Sequence, residues 1–176
     1  LLGPDGKRAP HDGSASGDLW VRSAWAAKGY FREPEHRLDD EGFFPTGDVA
    51  AIDEYGYMRI TDRTKDVIKS GGEWISSVDV ENVVYGHPAV KMAAVIGVAH
   101  PKWEERPVLV VTLKQGTSLS ESEMLEYLAP RMVRWWLPDR VLIRPELPMT
   151  ATGKIRKATL RDELRELLLH AEQVAS

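Results

Sequence analysis

The chain has no cysteine, no long apolar run and no excess of basic residues. Each of these absences excludes a class of site or protein. With zero cysteines in 176 residues, disulfides, thiolate metal sites and a cysteine nucleophile are excluded. No apolar stretch approaches the roughly 20 residues of a membrane-spanning helix, and no secretory signal opens the chain. The net charge is −4, with acidic and basic residues interspersed, which does not favour a nucleic-acid surface. We therefore expect a cytoplasmic protein whose membrane contact is at most peripheral and which has no nucleic-acid partner.

What is present is typical of a folded domain. Hydrophobic residues make up 43% of the chain and charged residues 28%, so disorder of the whole chain is not expected. The chain opens on Leu1 and runs directly into a stretch rich in Gly, Pro and Asp, which we interpret as a segment of a longer protein.

Hydrophobic patterning predicts strands first and a mixture of strands and helices later. Residues 49–53 and 57–62 are expected to form a β-hairpin, and residues 67–69 and 74–76 two strands joined by a glycine turn. Further on, residues 92–98, 108–113 and 141–143 read as strands. Helices are predicted around Val80, after a Ser120/Glu123 capping box, and from 157 to about 169. The predicted class is α+β: a small carboxy-terminal domain with a central antiparallel-type sheet flanked by helices, preceded by a β-rich segment.

Asp48 and Arg63 are the first candidates for chemistry. Asp48 follows a Thr-Gly turn, and a carboxylate held there can accept hydrogen bonds from both hydroxyls of a ribose. Taken alone, it is more simply an aspartate that closes its own turn. Hairpin pairing is expected to bring Arg63 near Asp48, either as a ribose ligand or as an ion-pair partner.

Two polar turns supply the other candidates. Ser70-Gly71-Gly72 would let a ligand approach the backbone, although such a sequence is most often a hairpin turn. Lys154 lies in a Thr-Gly-Lys loop, where an ammonium can neutralise a phosphate and a carboxylate. Alone, it is more simply a solvated lysine.

The histidines do not suggest a metal site, and no serine lies in a hydrolase elbow. None of the five histidines has a metal-ligand spacing, so we predict no protein-bound metal. The Gly-x-Ser-x-Gly pattern is also missing. The histidines are His11, His36, His87, His100 and His170.

Taken in order, the motifs resemble the carboxy-terminal part of the adenylate-forming superfamily, which includes acyl-CoA synthetases, luciferases and peptide-synthetase adenylation domains. Residues 17–22 and 29–31 resemble the end of that family's large amino-terminal domain. Residues 44–48 (Phe-Pro-Thr-Gly-Asp) resemble its ribose motif, 62–72 its hinge motif and 147–156 its catalytic-lysine motif. The implied boundary lies between residues 1–63, the end of the nucleotide-binding domain, and residues 64–176, a mobile carboxy-terminal domain.

The resemblance implies a two-step ligase. ATP, with Mg²⁺ held mainly by ATP itself, would activate a medium- or long-chain fatty acid as an acyl-adenylate, and CoA would then displace AMP. Asp48 and Arg63 would bind the ribose, Lys65 would be the hinge, and Lys154 would stabilise the first transition state. The turn assigned to the CoA channel consists of Ser70, Gly71, Gly72 and Glu73. The family's ATP phosphate loop and acyl pocket lie upstream, so the chain alone is expected to be inactive and to need the missing amino-terminal domain as its partner.

Residues 71–77 and 134–138 look most like bacterial medium- and long-chain fatty acyl-CoA ligases. Many relatives carry, where Trp74 stands, an Arg that contacts CoA, and Arg134 or the Arg156–Lys157 pair could compensate for its replacement. Two alternatives stay open: an adenylation domain that loads a carrier-protein phosphopantetheine, and a non-catalytic binding module.

Overall fold

The computed structural model describes residues 1–26 and 38–169. The motif at residues 29–31, together with His36 and His170, lies outside these ranges. The chain divides into two compact units, Leu1–Lys65 and Asp66–Ser176. Each unit has its own sheet, and all the described α-helices belong to the second. The fold is therefore α+β.

The first unit is built on a three-stranded antiparallel sheet in the order β1 (Ser16–Val21), β2 (Phe44–Ile52) and β3 (Met58–Arg63). The predicted hairpin is the β2–β3 connection. Its turn is closed by the Asp53 carboxylate, which accepts the Tyr55 and Tyr57 amides at 3.0 and 2.8 Å, and by Gly56 at a φ of 86°. This Asx-type turn fixes the strand register.

The second unit holds a mixed five-stranded sheet. Its strands are β4 (Ile68–Ser70), β5 (Glu73–Ile75), β6 (Val90–His100), β7 (Glu104–Leu113) and β8 (Arg140–Ile143). The order is β5-β4-β7-β6, with β8 also on β7. Every pair is antiparallel except β7–β8, which runs parallel from Val108↔Arg140 to Val111↔Ile143.

Helices cover both faces of this sheet. On one face, α1 (Ser77–Tyr85) and α2 (Glu121–Leu128) bury apolar side chains such as Val84 and Leu128 against it. On the other, α3 (Lys157–Leu164) buries Leu160 with the alternate side chains of β7. Because successive strand residues point to opposite faces, an almost continuously apolar β7 contributes to both clusters.

Capping confirms the predicted start of α2, whereas the end of the last helix differs from the prediction. Ser120 and Glu123 form the predicted reciprocal capping box at α2. The helix predicted to reach residue 169 instead ends at Leu164, with Arg165 as its C-cap. Leu167 and Leu169 then bond to carbonyls three residues back. This tighter winding still buries Leu168 at 2% exposure, which is why the apolar pattern continued beyond the helix.

Side chains of α1 cover the open edge of the sheet at β6. Glu81 Oε1 accepts the Val95 amide at 2.7 Å. One helical turn later, the Tyr85 hydroxyl bonds both the amide and the carbonyl of Ala93, at 3.2 and 3.3 Å. These contacts satisfy outward-facing backbone groups that would otherwise offer an edge for pairing with another chain.

Candidate functional site

Asp48 and Arg63 are paired, as the hairpin predicted. They are direct cross-strand partners, and Arg63 Nη1 lies 2.9 Å from Asp48 Oδ1. The Asp48 side chain is 19% exposed and the Arg63 side chain 61% exposed. Thr46 Oγ1 orients Asp48 by accepting its amide at 3.1 Å and donating to the Leu19 carbonyl at 3.0 Å. The result is a fixed carboxylate with an exposed guanidinium beside it, a pair suited to hydroxyl ligands.

The three residues at the predicted hinge are held very differently. Thr64 is fixed to the first unit, since its amide donates to the Gly47 carbonyl at 3.0 Å and its hydroxyl to Asp18 Oδ1 at 2.7 Å. Asp66 is fixed to the second, through Arg161 Nη1 at 2.9 Å. Between them, Lys65 is exposed and makes no hydrogen bond or ion pair with the described part of the chain. Of these three residues, Lys65 is the one whose side chain is bound to neither unit within the described ranges.

The glycine turn joins β4 to β5. Gly71 and Gly72 have φ angles of 59° and 85°, a region that glycine adopts without strain. Ser70 is fully buried and pairs with the exposed Glu73. A Cβ on Gly72 would meet no atom within 4 Å, whereas one on Gly71 would lie 3.1 and 3.2 Å from the Trp103 and Trp135 rings. The turn therefore has one open side and one side packed against tryptophan.

Arg106 holds the packed side of this turn and was not singled out from the sequence. It lies in β7 at 7% exposure. Its Nη1 donates to Ser70 Oγ at 3.1 Å and to the Trp135 carbonyl at 3.0 Å. The remaining donors bond the Leu137 carbonyl and the Asp139 carboxylate. Nothing local marked this residue, because Arg106 follows Glu104 and Glu105 at the polar start of β7, ahead of the strand predicted at residues 108–113.

Lys154 lies on a tight, hydrogen-bonded turn. Met149 and Ile155 form an isolated β-bridge, and the Thr150 amide donates to the Lys154 carbonyl at 2.7 Å. Thr150 Oγ1 accepts the Lys154 amide at 3.0 Å, and Gly153 has a φ of 79°. The backbone is thus fixed while the exposed ammonium makes no hydrogen bond or ion pair with the residues described. Nor does any hydrogen bond in the described ranges join this turn to the glycine turn.

Lys157, one of the residues considered for the CoA phosphates, bonds to two side chains of α1. Its ammonium lies 2.8 Å from Glu81 Oε1 and 2.7 Å from Ser77 Oγ, with the side chain 15% exposed. This pair ties the start of α3 to α1, so the positive charge is already neutralised. Arg134 and Arg156 are both exposed.

Within residues 1–26 and 38–169, no three His, Asp or Glu side chains gather closely enough to hold a metal ion. None of the helices in these ranges is long and apolar enough to cross a membrane.

Comparison with known proteins agrees with the motifs. Residues 79–154 match the family described as the AMP-binding enzyme C-terminal domain. A 3-methylmercaptopropionyl-CoA ligase of Ruegeria lacuscaerulensis is 49% identical, over 96% of this chain and 31% of its own length. A medium-chain-fatty-acid–CoA ligase of Ectopseudomonas oleovorans is 42% identical, over 97% and 31%. The crystal structure of ATP-bound MatB from Rhodopseudomonas palustris superposes with a TM-score of 0.81 at 31% identity, over 94% of this chain and 33% of that one.

The chain spans about a third of the length of these relatives. Residues 79–154 thus match an AMP-binding enzyme C-terminal domain, and nearly the whole chain is similar to acyl-CoA ligases. The resemblance drawn from the motifs is confirmed.

Proposed function

We propose that this chain is the carboxy-terminal part of an ATP-dependent, AMP-forming ligase that activates a medium- or long-chain fatty acid and transfers it to CoA. Residues 1–63 would complete the nucleotide-binding domain, and residues 64–176 would form a domain that rotates between two half-reactions. The observation that carries the proposal is the exposed Lys154 ammonium, which stands on a rigid turn and makes no hydrogen bond or ion pair with the described residues. In a purely structural module, such a turn has no need of a cation.

In the first half-reaction, a carboxylate oxygen of the acid forms a bond to the α-phosphorus of ATP, and the bond from that phosphorus to pyrophosphate breaks. Negative charge is shared between two groups that repel each other as they approach. An ammonium aimed at both from a fixed backbone lowers this repulsion without reorganising. Mg²⁺, carried mainly by ATP, would neutralise the departing pyrophosphate.

The Asp48–Arg63 pair would position the nucleotide during this step. The Asp48 carboxylate still has acceptor capacity beyond the single 2.9 Å contact from Arg63. It can therefore accept hydrogen bonds from both ribose hydroxyls while it stays paired with Arg63. Holding the ribose fixes the distance from the α-phosphate to the attacking carboxylate.

The second half-reaction requires a different surface of the small domain. With Thr64 held on one side and Asp66 on the other, rotation would take place mainly in the backbone of Lys65. Ser70, Gly71, Gly72 and Glu73 would then line the channel through which the CoA thiol reaches the acyl-adenylate. The thiol sulfur bonds to the acyl carbon, its proton is lost, and AMP leaves.

The preference for CoA over a carrier protein draws support from the relatives, whose names include CoA ligases of medium- and long-chain fatty acids at 42% and 45% identity. The more similar Ruegeria enzyme is named for 3-methylmercaptopropionate, so a short thioether acid is a second substrate to compare directly.

The test is ATP–pyrophosphate exchange by the full-length protein that carries this chain. Acids from propionate and 3-methylmercaptopropionate to palmitate would be compared. The matched control for Asp48→Asn is Asp40→Asn, since Asp40 is exposed and lies outside the β2–β3 hairpin. We expect the largest exchange with C8–C16 acids and a clear loss in Asp48→Asn alone. No exchange with any acid would contradict the proposal, and a preference for 3-methylmercaptopropionate would contradict the fatty-acid assignment.

A further inference from the structure

We propose that Arg106 is a positioning residue for the thioester-forming step: it holds the glycine turn in the position that the CoA channel requires. The inference rests on the proposed function, in which that turn contacts CoA. Arg106 itself faces away from the open side of the turn. Its side chain would contact none of the substrates.

The contacts of Arg106 account for its burial. A guanidinium removed from water is tolerated only when its donors are satisfied and its charge is paired. Here Nε and Nη2 approach Asp139 Oδ1 at 2.9 and 2.8 Å, and Nη2 also donates to the Leu137 carbonyl at 3.2 Å. The group stacks 4.6 Å from the centre of the Trp135 ring. An aliphatic side chain would fill this volume but could make none of these directed bonds.

These contacts join the turn to two other segments of the domain. Nη1 bonds at once to Ser70 Oγ, at the end of β4, and to the Trp135 carbonyl. Trp135 meets Trp103 edge to face, with centroids 4.9 Å apart. The Gly71 amide, in turn, donates to the Trp103 carbonyl at 2.9 Å. Arg106, Trp103 and Trp135 therefore form one support beneath the turn, which we call the turn platform.

The fit between turn and platform is close. The nearest atoms to a Cβ built on Gly71 are carbons of the two indole rings, at 3.1 and 3.2 Å. A small movement of either ring would be transmitted to the backbone of Gly71, because little space separates them. Loss of the Arg106 stack and its bond to Ser70 would free both the ring and the strand end.

The turn platform is separate from the groups assigned to adenylation. In the parts of the chain that are described, Arg106 bonds neither the Lys154 turn nor the Asp48–Arg63 pair. A displaced platform is therefore expected to impair CoA use and to leave acyl-adenylate formation intact. A role in stability alone would reduce both half-reactions in the same proportion.

The test separates the half-reactions in the full-length protein. Arg106→Met preserves length and removes the directed bonds, Arg106→Lys keeps the charge, and Arg140→Met is the control. Arg140 lies nearby on β8 with its side chain 48% exposed and a single ion pair to Glu121. Exchange of pyrophosphate with ATP reports the first step. Thioester formation from preformed acyl-adenylate and CoA reports the second.

We expect Arg106→Met to keep pyrophosphate exchange within about twofold of wild type. In the same variant, kcat/KM for CoA should fall at least tenfold, because a misplacement of ~1 Å can cost about 10²-fold in rate. Arg106→Lys should recover part of the loss, and Arg140→Met should match wild type. Equal losses in both steps, or none in either, would overturn the inference.

Trp103→Leu keeps the inference testable if Arg106→Met does not fold, because it removes a ring that packs against Gly71 and Trp135 and removes no buried charge. It should reduce the second step selectively, and a proportional loss of both steps would again count against the platform. If the wild-type protein shows no exchange, the proposed function itself fails. Normal exchange with an unaltered Arg106→Met thioester rate defeats only the present inference.

Discussion

Replacing Lys157 with Met is expected to destabilise the second unit by much more than the loss of an ordinary surface lysine. Lys157 is the first residue of α3, and its ammonium lies 2.8 Å from Glu81 Oε1 and 2.7 Å from Ser77 Oγ. Glu81 also accepts the Val95 amide at the edge of β6. One lysine thus links α3, α1 and the carboxylate that covers the edge strand.

The magnitude follows from how little water reaches the pair. Exposed ion pairs contribute at most about 1 kcal/mol, whereas removing one partner of a fully buried pair costs about 3–5 kcal/mol. Both side chains here are 15% exposed, which places Lys157→Met near the lower limit of the buried range. We expect a loss of ~2–3 kcal/mol in the free energy of unfolding. For a chain of this size, this is a fall of about 4–12 °C in Tm.

Urea unfolding of the 176-residue chain, together with hydrogen exchange at the Val95 amide, provides the assay. Lys91→Met is the matched control, since Lys91 is exposed on the same strand β6, and it should change stability by less than about 0.5 kcal/mol. Adding Glu81→Gln to Lys157→Met should restore part of the loss, because both charges of the pair are then removed. If Lys157→Met were no more damaging than Lys91→Met, the contact would be incidental and the reasoning wrong.

Three further outcomes are expected. Ser120→Ala removes the α2 cap and should cost about 1 kcal/mol in urea unfolding, whereas a loss below a few tenths would contradict the capping box. Hydrogen bonds from the Ser120 amide and hydroxyl lower the pKa of Glu123 below its ordinary value of 4.5. The resulting stability is present above that value and lost as pH falls through the folded pKa, so Glu123→Gln should flatten the acid limb of the stability profile. Arg161→Met releases Asp66 and should slow thioester formation more than pyrophosphate exchange in the full-length protein, while equal effects would argue against its role at the hinge.

Local patterns in the sequence were enough for the features that depend on neighbouring residues. The hairpin followed from two apolar runs around a Glu-Tyr-Gly turn, and its register placed Arg63 opposite Asp48. The capping box at Ser120 likewise involves residues only three apart. In such cases the chain needs no distant partner to define the geometry.

Features that depend on distant residues were not predictable. The bond from Arg106 to Ser70 spans 36 residues and that from Lys157 to Ser77 spans 80. Nothing local distinguishes Lys157 from a solvated lysine, so its ion pair with Glu81 of α1 could not be predicted. The parallel pairing of β7 with β8 could not be predicted from the strand patterns either. The alternation of apolar and polar side chains shows which face of a strand is buried, but not which strand lies beside it.

Lys154 is proposed to serve adenylation and not thioester formation. This role is tested by comparing Lys154→Met with wild type in each of the two half-reactions. In the full-length protein, pyrophosphate exchange should fall by about 10²–10³, the effect of removing one preorganised charge-stabilising donor. Thioester formation from preformed acyl-adenylate should remain within about twofold of wild type, since that step does not use the ammonium. The control is Lys91→Met, which should leave both steps unchanged. Exchange at the wild-type rate in Lys154→Met, or an equal loss in both steps, would contradict the account.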